Sequence, residues 1–162
     1  MKLARLFISL LLVILCLKSS SQNQLPSVKI KSLGGKEVSF ETLFAESDMP
    51  VVVSLWATWC VPCIQELETI NDQLAERQKE RNFKFIAISV DDTRTAAKVK
   101  SFITGRGWSF DCYLDINSDL KRALNISDIP HLLLIKNGII IYQHNGYVAG
   151  NEEELFEKIK SL

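Results

Sequence analysis

Apolar and polar positions alternate with a two-residue period in two short runs, Val28 to Ser32 and Glu37 to Phe40, around Gly34-Gly35. That pattern predicts a β-hairpin. Glu41 to Glu46 reads as one or two helical turns, and Met49-Pro50 punctuates the chain. Val51 to Trp56 is then almost continuously apolar, with Ser54 as its one polar interruption. Such a run suits a strand covered on both faces. From Val61 to Arg81 the period changes: Ile64, Leu67, Ile70 and Leu74 recur at helical spacing, with charges between them. Phe83 to Val90 predicts a second inner strand. Asp91-Asp92-Thr93 reads as the cap of a helix over 94–105, ended by Gly105 and Gly107.

The rest of the chain continues the alternation of strands and helices. Ser109 to Leu114 predicts a short strand, and Asn117 to Leu124 a short helix capped by Asn117 or Ser118. Leu132 to Ile135 and Ile139 to Gln143 flank Lys136-Asn137-Gly138, and Asn-Gly between apolar runs is a strong hairpin signal. Asn151 opens a last helix, with Glu152, Glu153 and Glu154 in its first turn and lysines near its end, as the helix dipole favours. The sum is an α/β layout with a mixed central sheet flanked by helices. No internal repeat or second domain is visible.

The first residues stand apart from this pattern. Lys2 and Arg5 precede a twelve-residue apolar run, Leu6 to Leu17, and then a small polar stretch, Lys18 to Gln22. This is the plan of a secretory signal, with cleavage near Ser21/Gln22. The run is short for a membrane span, which needs about 20 residues. The expected division is therefore residues 1–21 as signal peptide and 22–162 as one domain. Lipid attachment at Cys16 and a retained N-terminal anchor are the rival readings; Leu15 before Cys16 is larger than the residue such attachment normally follows.

The full chain has 162 residues, with 19 basic and 19 acidic side chains. Residues 1–21 carry Lys2, Arg5 and Lys18, so the remainder has 16 basic against 19 acidic groups, a net charge of −3. No basic cluster with interleaved aromatics points to nucleic acid. Export implies an oxidising compartment, where a thiol pair is not kept reduced by cytosolic pools.

The candidate chemistry is Trp59-Cys60-Val61-Pro62-Cys63, a Cys-x-x-Cys pair between an inner strand and a long helix. Free N–H groups at a helix start, with the dipole, favour a thiolate. Cys60, on the exposed edge of the turn, is thus the expected attacking sulfur. Cys63, a turn further in, is placed to resolve a mixed disulfide. Pro62 fits the first helical turn, where its missing N–H costs nothing. A zinc site would need about four ligands, and Cys16, Cys112, His131 and His144 supply no second paired spacing. A purely structural bridge is the other alternative, though such bridges gain more by closing longer loops. Cys112 reads as a small apolar core residue in its strand, and His144 as a solvated residue of a polar hairpin arm.

Taken together, Trp56-Ala57-Thr58-Trp59-Cys60-Val61-Pro62-Cys63 and Ile129-Pro130-His131-Leu132-Leu133-Leu134-Ile135-Lys136-Asn137-Gly138 resemble the thioredoxin fold. The exported start and the elements between the two motifs resemble its TlpA/ResA-like branch of thiol–disulfide oxidoreductases, over roughly residues 26–160. The resemblance implies a thioredoxin-like fold with an N-terminal β-hairpin and a central insertion. It implies a cis Pro130 facing the disulfide, with Ile129 and His131 beside it and Trp59, Val61 and Pro62 forming the rest of a substrate-docking surface. It implies proton exchange between Cys63 and Glu66, three residues on. Ser54 stands where thioredoxins carry a buried Asp. Trp59 is expected to cover the disulfide and Trp56 to pack beneath it.

Three positions depart from the branch. Glu68 replaces a helix-kinking proline, His131 follows Pro130 where Thr is more usual, and Cys112 is extra. The resemblance implies no cofactor or metal beyond the Cys60–Cys63 disulfide. Its expected partners are protein disulfides, including apocytochrome c, and a membrane thiol transporter as electron donor. Val61-Pro62 offers neither charge nor donor to a thiolate, so the pair is expected to be reducing. A thiol peroxidase of the same superfamily and a binding module with an inert disulfide are the alternatives.

Overall fold

The computed structural model describes residues 25–44 and 48–162. The expected signal at 1–21, Cys16 and the end of the turn at Glu46 lie outside the described residues. The elements run β1 (Lys29–Ser32), β2 (Glu37–Ser39), a 3-10 turn (Phe40–Phe44), β3 (Val51–Trp56), α1 (Val61–Glu80), β4 (Lys84–Ser89), α2 (Ala96–Arg106), β5 (Asp111–Leu114), α3 (Asp119–Ala123), β6 (His131–Lys136), β7 (Ile139–Asn145) and α4 (Asn151–Lys160). The strands form a seven-stranded mixed sheet in the order β2-β1-β5-β4-β3-β6-β7.

β3 lies at the heart of this sheet, parallel to β4 and antiparallel to β6, and every one of its residues is buried. That explains its unbroken apolar sequence. The register places Ser54 beside Ala87 and Leu132, and Leu132 beside His144. Paired residues share a sheet face, so Ser54, Leu132 and His144 look to the same side. α1 covers that side through Leu67, Ile70 and Leu74, all buried. Each such side chain contributes about 1.5–3 kcal/mol. α2 joins the same layer, where Trp56 meets Phe102 and Trp108 at ring separations of 5.7 and 5.2 Å. Glu68, at the position where a kink is usual, is ion-paired with Arg106 and ties α1 to α2. α1 runs unbroken for 20 residues.

Several caps differ from the sequence reading, each for a traceable reason. Asp91 is not a helix cap: α2 starts only at Ala96, and Asp91 is fully buried elsewhere. Ser118 is the N-cap of α3 but its side chain makes no cap bond; Asp115 supplies that bond instead, accepting from Leu120 N and Lys121 N at 3.2 and 2.9 Å. Gly105 lies inside α2, and Gly107 alone ends it, in the left-handed region at φ 65°. Asn137 and Gly138 both have positive φ, 52° and 71°, the two-residue turn that the Asn-Gly pair favours. His144 is not a solvated arm residue. It is partly buried on the α1 face and accepts from Asn151 Nδ2 at 2.8 Å.

Candidate active site

β3 ends at Trp56, the chain turns through Ala57 to Trp59, and Cys60 becomes the N-cap of α1. Cys60 N donates to Ala57 O at 3.1 Å, closing the turn. Pro62 falls in the first helical turn. Cys60 and Cys63 are joined in a disulfide, and Cys63 N donates to Cys60 Sγ at 3.3 Å. When the bond is opened, that N–H and the helix start favour Cys60 as thiolate. Cys60 itself is only 5% exposed and does not sit on an exposed edge. The carbonyl of Ile129 lies 3.9 Å from its sulfur and helps cover it. Cys63 is fully buried.

The Ile129–Pro130 peptide bond is cis. Pro130 is buried and Ile129 half-buried. Pro130 O accepts from Gly146 N at 2.8 Å, so the end of β7 holds the proline loop against the disulfide. Trp59 and Val61 are 63% and 65% exposed, an apolar pair beside an otherwise buried disulfide. Trp59 therefore presents its ring to solvent, while Trp56 is wholly buried in the aromatic cluster. Pro62 is exposed between them and Cys63. His131 pairs with Leu55 and Asn145, the sheet face opposite Ser54. It is partly buried, its Nε2 has no hydrogen-bond partner among the described residues, and burial lowers its pKa.

Glu66 is 3% exposed, on the inner face of α1 with Cys63 three residues before it. On a helix that spacing makes them neighbours. Ser54 Oγ donates to Glu66 Oε2 at 2.9 Å. Burial pushes the Glu66 carboxyl up to about 7; the Ser54 hydrogen bond opposes the rise, and the Glu152 carboxylate adds to it. A group with that value exchanges protons readily at neutral pH.

Asp91 is the residue that sequence reasoning misplaced. Its carboxylate accepts from Thr58 N at 2.8 Å, Thr58 Oγ1 at 2.6 Å and Ser89 Oγ at 2.8 Å. It thereby pins the turn that carries Trp59 and Cys60. The signal was in the register: Trp56 pairs with Ser89 in the parallel β3–β4 ladder. Thr58 and Asp91 each lie two residues further on, so they emerge side by side. Cys112 is buried within this region, and burial raises its thiol to about 12. Among the described residues no group of three or more His, Cys, Asp or Glu side chains could hold a metal ion, and no helix is long and apolar enough to cross a membrane.

Comparison with known proteins agrees with this geometry. The Redoxin family model matches residues 20–159. The chain is 27% identical over 138 residues to "Thiol-disulfide oxidoreductase ResA" of Bacillus thuringiensis subsp. konkukian, covering 85% of this chain and 75% of that one. It is 40% identical, with a TM-score of 0.75, to an uncharacterized thioredoxin-like protein from Porphyromonas gingivalis; the match covers 85% of this chain and 90% of the other. A putative thiol:disulfide interchange protein DsbE from Chlorobium tepidum shares the fold, at a TM-score of 0.72 and 22% identity over 86% of this chain and 94% of its own. With a disulfide set at the start of α1, a thioredoxin-like sheet behind it and a family match over most of its length, the chain belongs to the Redoxin family, as a ResA-like thiol–disulfide oxidoreductase.

Proposed function

We propose that the protein is an exported reductase of protein disulfides in the cell envelope, periplasmic or otherwise extracytoplasmic, with the Cys60–Cys63 pair as its redox group. The observation that carries this reading is Glu66, buried beside Cys63, bonded by Ser54 and poised at about 7. Cys60 thiolate attacks one sulfur of a substrate disulfide; a mixed disulfide forms and the other substrate sulfur leaves as thiolate. Glu66 carboxylate takes the proton of the Cys63 thiol. Cys63 thiolate then attacks Cys60 Sγ, closing the Cys60–Cys63 disulfide and releasing the second substrate thiolate. Two electrons pass from the dithiol to the substrate, and the released thiolates take up protons from water.

Trp59, Val61, Pro62, Ile129, Pro130 and His131 form the docking surface in this reading. The exposed Trp59–Val61 pair offers apolar contact, and the half-buried chain at Ile129, before the cis proline, offers backbone groups to a substrate strand. Val61-Pro62 brings no charge to the Cys60 thiolate, which favours a reducing pair. Electrons would come from a membrane thiol transporter, and apocytochrome c is a candidate client. Thr58 Oγ1 is committed to Asp91, and Cys60 has a resolving partner within its own helix turn; both weigh against a peroxidase. The test is dithiothreitol-driven insulin reduction by the wild type, Cys60→Ser and Cys63→Ser. Activity only in the wild type, with a trapped mixed disulfide only in Cys63→Ser, supports the roles given. Equal activity in all three refutes them.

A further inference from the structure

Glu66 poses a transport problem. It is 3% exposed, and both cysteines are buried. A protein substrate seated on Trp59 and Val61 covers the disulfide further. The proton that Glu66 accepts from Cys63 needs another way out before the next turnover.

A small cavity of about 10 Å³ opens beside Glu66 between α1, β6, β7 and α4. Its polar wall is Glu66, His144, Asn151 and Glu152, and Leu132 and Leu155 close part of the rest. The volume is about what one water occupies, and such a water needs two or more polar partners. The wall supplies them. Glu152 is itself buried to 9% exposure, in the first turn of α4, and its Oε2 accepts from Gly150 N at 3.0 Å. Asn151 Nδ2 donates to His144 Nε2 at 2.8 Å and fixes that ring at the cavity edge.

We propose that Glu152 is a positioning residue for the redox reaction: it holds one bridging water against Glu66, and the proton of Glu66 leaves through that water on the α4 side of α1, beside His144. This rests on the reading of Glu66 as proton acceptor for Cys63. The balance is simple. Protonated Glu66 gives its proton to the water as the water, held by Glu152, gives one to solvent; no electron moves. The titratable groups facing the cavity are Glu66 from α1, Tyr142 and His144 from β7 and Glu152 from α4. Tyr147, from the loop before α4, donates to Thr69 Oγ1 at 3.1 Å and feels both carboxylates. Among the described residues no lysine or arginine lines the cavity. The Glu152 charge thus acts on Glu66 without a neutralising cation in the cavity wall, and it raises the Glu66 value.

The experiment compares the wild type, Glu152→Gln, Glu152→Asp and Glu66→Gln. The rate of insulin reduction is read by thiol trapping across neutral pH, with and without added imidazole. The relay predicts a severalfold loss in Glu152→Gln, recovery by imidazole, partial rescue in Glu152→Asp, and a downward move of the apparent pKa of the rate. A merely structural Glu152 would show no imidazole recovery. Wild-type behaviour in Glu152→Gln with a slow Glu66→Gln overturns the relay and leaves Glu66 in its role. Wild-type behaviour in Glu66→Gln overturns both. Should Glu152→Gln fail to fold, the wild type in mixed light and heavy water decides. A curved dependence of rate on deuterium fraction signals several protons in flight and supports the relay; a linear one overturns it.

Discussion

Replacing Glu66 by Gln should stabilise the oxidised protein above neutral pH and slow its chemistry. In the folded state burial raises this carboxyl from an ordinary 4.5 to about 7. An unfolded chain releases the proton near the ordinary value. Between those two points the folded state holds a proton that the unfolded state has lost, so folding stability falls as pH rises through this window. Above about 7 both states are ionised and the full cost is present. At about 1.4 kcal/mol per pH unit, the rise from 4.5 to about 7 amounts to about 3 kcal/mol. Gln keeps the shape and an acceptor for Ser54 Oγ, yet has no charge to bury. The difference in stability between Glu66→Gln and wild type should therefore be flat below about pH 4.5, grow through the window and level off near 3 kcal/mol. In a chain of this size that is on the order of 10 °C in Tm. The assay is thermal unfolding of both oxidised proteins followed by circular dichroism, at about pH 5 and about pH 8. Groups common to both proteins cancel in the difference. An equal Tm difference at the two pH values would refute the buried, proton-exchanging Glu66.

Other outcomes follow from the same geometry. Asp91→Ala removes the acceptor of three hydrogen bonds and should cost about 3 kcal/mol, read by urea denaturation. It should also slow mixed-disulfide formation by loosening the Thr58–Trp59 turn. In the reduced native protein Cys112, buried with its thiol raised to about 12, should resist iodoacetamide and label only in denaturant; mass spectrometry of its peptide checks this. Trp59→Ala and Val61→Ala remove the exposed apolar pair and should raise KM for a protein disulfide while leaving the rate with a small disulfide unchanged. Leu67→Ala, at the centre of the α1 face, should cost about 2–5 kcal/mol, measured as a lower denaturation midpoint.

The order of strands and helices was legible because the periodicity is strong where burial is strong. β3 reads as an inner strand because it is buried from Val51 to Trp56, and α1 because Leu67, Ile70 and Leu74 share one face. The Cys-x-x-Cys pair was legible because its spacing and its place between strand and helix carry the chemistry. The Ser54–Glu66 bond was not, since it joins a strand and a helix whose relative rotation no local pattern fixes. Asp91 next to Asp92 looks like a helix cap, and only the β3–β4 register brings it to Thr58. His144 looked solvated because its sequence neighbours are polar. Strand alternation turns it inward, toward the Glu66 cavity. Polar residues that act across elements are set by tertiary packing, and sequence periodicity reports only on the element in which they lie.

The reducing character of the Cys60–Cys63 pair is tested most directly by its reduction potential. The full-length protein would be equilibrated with dithiothreitol or glutathione buffers and its thiols trapped. The account predicts a value near the ~−270 mV of reducing thioredoxin-type pairs, together with loss of the transition in Cys60→Ser and Cys63→Ser. A value near the ~−120 mV of strong disulfide-forming oxidants, or a pair that does not cycle, would contradict it.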